Sequence, residues 1–209
     1  TITFPSNLSV GVGNGDFTIA TTTDGVNWST VPESSTTLPF TLGYGVAWNG
    51  SLWVAVGSGT NTIATSPDGI TWTGRGNTIF TDFGYGVAWS SSLSRWVAVG
   101  QGTNSIAYSS DGITWTGLGT SILGFGIGVS WNGSNLWVAV GGGSNSIATS
   151  PDGINWTAVP SSLFIFSLGR GVAWNGSNLW VAVGQGTNTI ATSPDGITWT
   201  GRGSTIFTT

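Results

Sequence analysis

The chain has 209 residues, a net charge of −4 and only 6% charged residues, with four Arg, no Lys, no His and no Cys. That composition excludes disulfides, thiol nucleophiles, imidazole bases and most zinc sites. It also leaves too little clustered positive charge to hold a phosphate backbone, so nucleic acid is not expected as a partner. Thirteen Trp and nine Phe still supply ample apolar area for a packed core. No run approaches the ~18 apolar residues of a membrane helix, so no membrane insertion is expected.

Residues 1–41 read as a worn first copy of a unit that returns over 42–83, 84–125, 126–167 and 168–209. The copies are marked by an Asp-Gly step at Asp24, Asp68, Asp111, Asp152 and Asp195, at spacings of 44, 43, 41 and 43 residues. A fixed period of about 40–45 residues is the mark of a propeller-type repeat. Leu8, Val10, Val12 and Gly13 of the first copy fall where Leu179, Val181, Val183 and Gly184 fall in the last. The first copy ends in a longer loop, Pro32-Glu33-Ser34-Ser35, which holds the only Glu.

Within the second copy, Gly43-Tyr44-Gly45-Val46-Ala47-Trp48 reads as a strand of small residues suited to a crowded axis. Asn49-Gly50-Ser51 follows as a tight hairpin in which Asn and Gly both accept positive φ. Leu52 to Gly57 is β-branched and aromatic, hence a second strand. Thr62 to Thr65 is a third, and the Asp68-Gly69 turn reverses the chain into a fourth over Ile70 to Thr73. A Gly-rich connector, Gly74 to Phe80, leads to the next copy. The expected fold is all-β: a five-bladed β-propeller with four short antiparallel strands per blade, 1–209 forming one domain. Ring closure is expected from packing of the first blade on the last. A strand added across the seam by Ser204 to Thr209 is the alternative.

The turn itself, Ser66-Pro67-Asp68-Gly69-Ile70-Thr71-Trp72 and its copies, resembles the Asp-box, or BNR repeat, of sialidase-like propellers. The family pattern is Ser/Thr-x-Asp-x-Gly-x-Thr-Trp, and this chain lacks one residue between Asp and Gly. The resemblance implies a structural role for Asp24, Asp68, Asp111, Asp152 and Asp195, and for Trp28, Trp72, Trp115, Trp156 and Trp199. The chemistry agrees: a carboxylate accepts N–H groups two or three residues on, and the indole packs beneath. One carboxylate per turn is too few for calcium. Five blades are also similar in architecture to tachylectin-like lectins, which bind amino sugars between blades.

A sialidase-like glycosidase needs an arginine triad, a Tyr–Glu pair and an Asp acid. Arg75 and Arg202 sit at equivalent places in different copies, Arg95 lies before Trp96, and Glu33 is isolated from Asp16 and Asp82. No enzymatic activity and no cofactor are therefore expected. The expected function is a recognition module that is extracellular or on the surface of a cell or virus particle, most simply one that binds carbohydrate. Its ligand candidates are Tyr44, Tyr85, Gln101, Asn104, Gln185 and Asn188, with Asn61, Asn145 and the connector arginines Arg75 and Arg202. The alternative is a self-associating structural subunit, for which the apolar connectors Ile122-Leu123 and Phe164-Ile165-Phe166 are suited.

Overall fold

The computed structural model describes residues 7–31, 39–160, 162 and 165–208. The Glu33 loop, the opening Thr1 to Thr3 and Phe164 lie outside the described residues. The molecule is an all-β, five-bladed β-propeller. The first blade has β1 (Ser9–Val12), β2 (Ile19–Thr22) and β3 (Ser29–Thr30) among the described residues. The second has β4 (Leu42–Trp48), β5 (Trp53–Ser58), β6 (Ile63–Ser66) and β7 (Thr73–Gly74). The third has β8 (Phe83–Ser90), β9 (Arg95–Gln101), β10 (Ile106–Ser109) and β11 (Thr116–Gly117). The fourth has β12 (Phe125–Trp131), β13 (Trp137–Gly142), β14 (Ile147–Ser150) and β15 (Thr157–Ala158), and the fifth β16 (Leu168–Trp174), β17 (Trp180–Gln185), β18 (Ile190–Ser193) and β19 (Thr200–Gly201). Each sheet is an antiparallel meander in chain order.

The second strand of a blade is sandwiched between neighbours, which is why it is apolar on both sides. Val54, Ala55 and Val56 are fully buried, as are Val97 to Val99 and Val138 to Val140. Each core cluster spans two blades: Val97, Val99 and Ile106 of the third pack with Trp137 and Ala139 of the fourth. The inner hairpins close on paired indoles, Trp48 on Trp53, Trp89 on Trp96, Trp131 on Trp137 and Trp174 on Trp180, with ring centroids 4.8–5.2 Å apart. Such pairs add about 0.5–1.5 kcal/mol each beyond the area they bury.

The Asp turn is built as its chemistry requires. Asp68 Oδ1 accepts the N–H of Ile70 (2.8 Å) and of Thr71 (2.6 Å), and the Ser66 hydroxyl (2.8 Å). Ser66 Oγ in turn accepts the Gly69 N–H. Gly69 takes φ 75°, closed to most side chains. Trp72 folds back and donates its Nε1–H to Gly69 O (3.0 Å), and Trp115, Trp156 and Trp199 do the same in their blades. Asp152→Ala removes the acceptor for two N–H groups and an amide, so a loss of about 1–2 kcal/mol is expected. Thermal melts of the variant check it, and an unchanged melting temperature would contradict this role for the carboxylate.

Four expectations are corrected. The fourth strand does not begin at Ile70: the backbone of Ile70 and Thr71 is spent on the carboxylate, so pairing starts only at Thr73. In the Asn49-Gly50 hairpin only Gly50 has positive φ; Asn49 instead accepts the N–H of Ser51 and Leu52 through Oδ1. Trp28 is half exposed, and its ring lies over Gly11, which stands where the other blades have Ala55, Ala98, Ala139 and Ala182. The connector residues Leu123 and Phe166 are fully buried between blades and are core, not an outer surface for self-association.

The seam also differs from expectation. A Cβ built at Gly69, Gly112, Gly153 or Gly196 would meet the second strand of the preceding blade, whereas one at Gly25 meets nothing within 4 Å among the described residues. Closure of the first blade on the last is thus not made at this position. Ser204 to Phe207 is a run of bends that passes into coil at Thr208, and these residues add no strand.

Candidate functional site

The inner strands carry the one irregularity shared by the second to fifth blades. Pairing of β4 with β5 slips between Gly43 and Gly45, of β8 with β9 between Gly84 and Gly86, of β12 with β13 between Gly126 and Gly128, and of β16 with β17 between Gly169 and Gly171. Each slip is a β-bulge with one extra residue, and bulges re-aim a side chain out of the ladder. The extra residues are Tyr44, Tyr85, Ile127 and Arg170. The flanking glycines let neighbouring inner strands close in: a Cβ at Gly45 would stand 3.0 Å from Tyr85 O, and one at Gly86 3.0 Å from Ile127 O. The bulges lie at the end of the sheets opposite the Asp turns, and those of adjacent blades bring Tyr44 and Tyr85 together there.

Tyr44 and Tyr85 are 5.1 Å apart between ring centroids, and Phe83 stacks on Tyr85 at 5.4 Å. Tyr44 meets Phe83 edge-on at 6.2 Å. Tyr85 donates its hydroxyl to Gln101 Oε1 (3.4 Å), and Arg170 Nη2 donates to Gln185 Oε1 (3.3 Å). Burial raises the Tyr85 phenol above its ordinary value; Tyr44 and Asp82 push the same way, and the Arg170 charge opposes them. Tyr85 is therefore a neutral hydroxyl at ordinary pH. The mouth presents two exposed-to-half-buried phenol faces, two amides and one guanidinium. It suits a ligand rich in hydroxyl or carbonyl groups.

The structure sorts the residues singled out from the sequence. Tyr44, Tyr85 and Gln101 come together, while Gln185 lies with Arg170 on the fifth blade. Asn104 and Asn188 do not face a ligand with their amides. Asn104 Nδ2 donates to Ile79 O (2.7 Å) of the incoming connector, and its Oδ1 accepts Gly119 N–H (2.8 Å) of the outgoing one. Asn188 spans Ile165 O and Gly203 N–H in the same way, and Asn61 spans Pro39 O and Gly76 N–H. These amides tie successive connectors together. Arg75 and Arg202 directly follow the outer strands β7 and β19 and donate to Thr65 and Thr192 hydroxyls (2.9 Å from Nε in each). Where Tyr108 replaces that Thr, Leu118 replaces the arginine and Arg95 lies over the Tyr108 ring at 5.4 Å.

Arg170 was not among the sequence-derived ligand candidates. The signal was present: it occupies the repeat position of Tyr44 and Tyr85, and a charged residue in an otherwise apolar slot points to a purpose beyond packing.

No family model matches the sequence, and no curated protein matches it. Solved structures do match in fold. A chain of the nidogen/laminin complex superposes with a TM-score of 0.65 at 14% identity, over 90% of this chain and 73% of that one. YCF48 from Cyanidioschyzon merolae gives 0.60 at 19% identity, over 83% of this chain and 59% of that one. The computationally designed Ika8 protein gives 0.61 at 14% identity, over 93% of this chain and 57% of that one. The chain thus spans less than two thirds of the last two. The likeness confirms a β-propeller fold.

Proposed function

We propose that this propeller is a non-enzymatic recognition module that binds carbohydrate at its axial mouth, at a cell or particle surface. The observation that carries the reading is the pair of inner-strand bulges that sets the Tyr44 and Tyr85 rings together beside Gln101, with the equivalent bulge of the fifth blade presenting Arg170 beside Gln185. Phenol faces stack on the C–H side of a sugar ring, while amides and a guanidinium take its hydroxyl and carboxyl oxygens. The non-catalytic reading is supported by the lack of His and Cys in the sequence. A surface location is supported by the low charge and the Ser, Thr and Asn loops.

Two of the fold neighbours occur with polypeptide partners, one in a complex of nidogen with laminin and the other as YCF48 bound to D1 peptide. They support recognition as a task for this fold, and they make peptide the competing ligand class. A glycan array and a peptide array probed with the purified chain separate the two. Binding to a glycan, weakened about tenfold (about 1.4 kcal/mol) by Tyr44→Ala or Arg170→Ala, is expected. Peptide binding alone, or glycan binding indifferent to both substitutions, would overturn the reading.

A further inference from the structure

The interface between the third and fourth blades departs from the repeat in one connected set of residues. Arg95 stands where the other copies have Leu8, Leu52, Leu136 and Leu179, and Tyr108 where they have Thr21, Thr65, Thr149 and Thr192. Both side chains face the fourth blade. A Cβ at Gly153 of that blade would stand 2.9 Å from Val97 Cγ2 and 3.1 Å from Arg95 Cδ, and Tyr108 is the cross-strand partner of Val97 and shares its face. The Arg95 guanidinium lies over the Tyr108 ring, 5.4 Å from its centroid. Its Nε and Nη1 are buried and have no hydrogen-bond partner among the described residues, although Arg95 as a whole is only half-buried.

Buried donors of a cation are costly when unpaired. Leucine fills the same slot in four copies, so packing does not account for Arg95. Ser94, just before it, is the one non-glycine residue with positive φ (46°) among the described residues. Backbone strain of that kind collects where a side chain is held for a task.

The same cleft holds a cavity of about 270 Å³. The third blade lines it with Ile106, Leu118 and Ile122, the fourth with Ile154, Asn155 and Trp156, and no charged side chain takes part. Leu118 holds the place of Arg75 and Arg202, so no cation fills this end. Ile106 lies two residues before Tyr108 on β10 and on the same face. The cavity and the guanidinium are thus separated by one step along a strand face, about 7 Å.

We infer that this cleft binds a small apolar carboxylic acid, with its hydrocarbon part in the cavity against Trp156 and its carboxylate on the Arg95 guanidinium. An uncharged, largely apolar chamber of this volume takes a single ring or a short chain. The unpaired cation at its end selects an anionic head, whose oxygens accept from the guanidinium. The site is separate from the axial mouth and does not depend on what binds there.

Titration of the full chain with phenylbutyrate, followed through the indole N–H signals in heteronuclear NMR spectra, tests it; Trp156→Phe identifies the Trp156 signal. That signal is expected to shift saturably. Phenylbutanol, with the same ring and no charge, is expected to bind about tenfold more weakly. Arg95→Leu combined with Tyr108→Thr gives this interface the residues the other copies hold, so the variant is expected to melt no lower than wild type. It is expected to lose about tenfold in affinity for the acid and none for the alcohol. No shift at Trp156, equal binding of acid and alcohol, or undiminished binding of the acid by the variant each overturns the inference. So does a shift shared equally by the indoles of every blade, which marks adsorption to apolar surface. A lower melting temperature of the variant would assign Arg95 and Tyr108 to the packing of the blade and overturn it too.

Discussion

Gly100→Ala is expected to destabilise the propeller by about 3 kcal/mol, while Gly13→Ala, the same position in the first blade, is expected to cost less than about 0.5 kcal/mol. At Gly100 the new methyl would stand against Phe83 O and 2.6 Å from Phe80 Cδ1. Neither neighbour can retreat. Phe80 is fully buried between blades, and Phe83 is held by its pairing with Gln101. Gly100 has no positive φ, so the cost is one of packing and not of backbone conformation. At Gly13 the methyl would enter open space. Urea titrations of dilute protein followed by tryptophan fluorescence measure both. Equal losses would mean that the first blade is packed as tightly as the third.

Much of this architecture could be read from the sequence, because the repeat states it five times. Asp-Gly spacing gave the blade count, and the Trp-Val-Ala-Val segments gave the buried second strands. The turn chemistry was also legible, since a carboxylate two residues before an N–H has little choice of partner. The reading erred where one residue served two purposes. Ile70 and Thr71 have strand composition, but their N–H groups are taken by Asp68 before any ladder can use them. Asn104 and Asn188 look like free polar loop residues, yet each spans two connectors more than ten residues away in sequence. The mouth was half legible. Tyr44 and Tyr85 stood out as aromatic, but the bulge that turns them to the axis depends on a register slip, and register is set by pairing across strands, not by local composition.

Acid is expected to weaken the fold between about pH 4 and about pH 2. Burial pushes the carboxyls of Asp111, Asp152 and Asp195 up, but hydrogen bonds outweigh it and hold each at about 2, below the ordinary 3.8. The bonds come from the N–H of Thr114 and Ile113, of Asn155 and Ile154, and of Thr198 and Ile197, with a Ser hydroxyl added in each turn. Asp68 is lowered by the same arrangement against the same opposing burial. A carboxyl depressed in the folded state binds its proton more readily in the unfolded chain. Its contribution is therefore complete above the unfolded value near 3.8 and is lost as pH falls through about 2. Discounted for solvent, each of the turns at Asp111, Asp152 and Asp195 contributes on the order of 1 kcal/mol, a substantial share of the roughly 5–15 kcal/mol that holds a domain. Melting temperature should thus be level with respect to these groups above about pH 4 and fall steeply below it. Replacing Asp111, Asp152 and Asp195 with Asn keeps an oxygen for the N–H groups but removes the titration, so the acid limb should flatten even if stability at neutral pH drops. A wild-type profile that stays level down to about pH 2 would mean that these carboxylates do not hold the turns that space the blades.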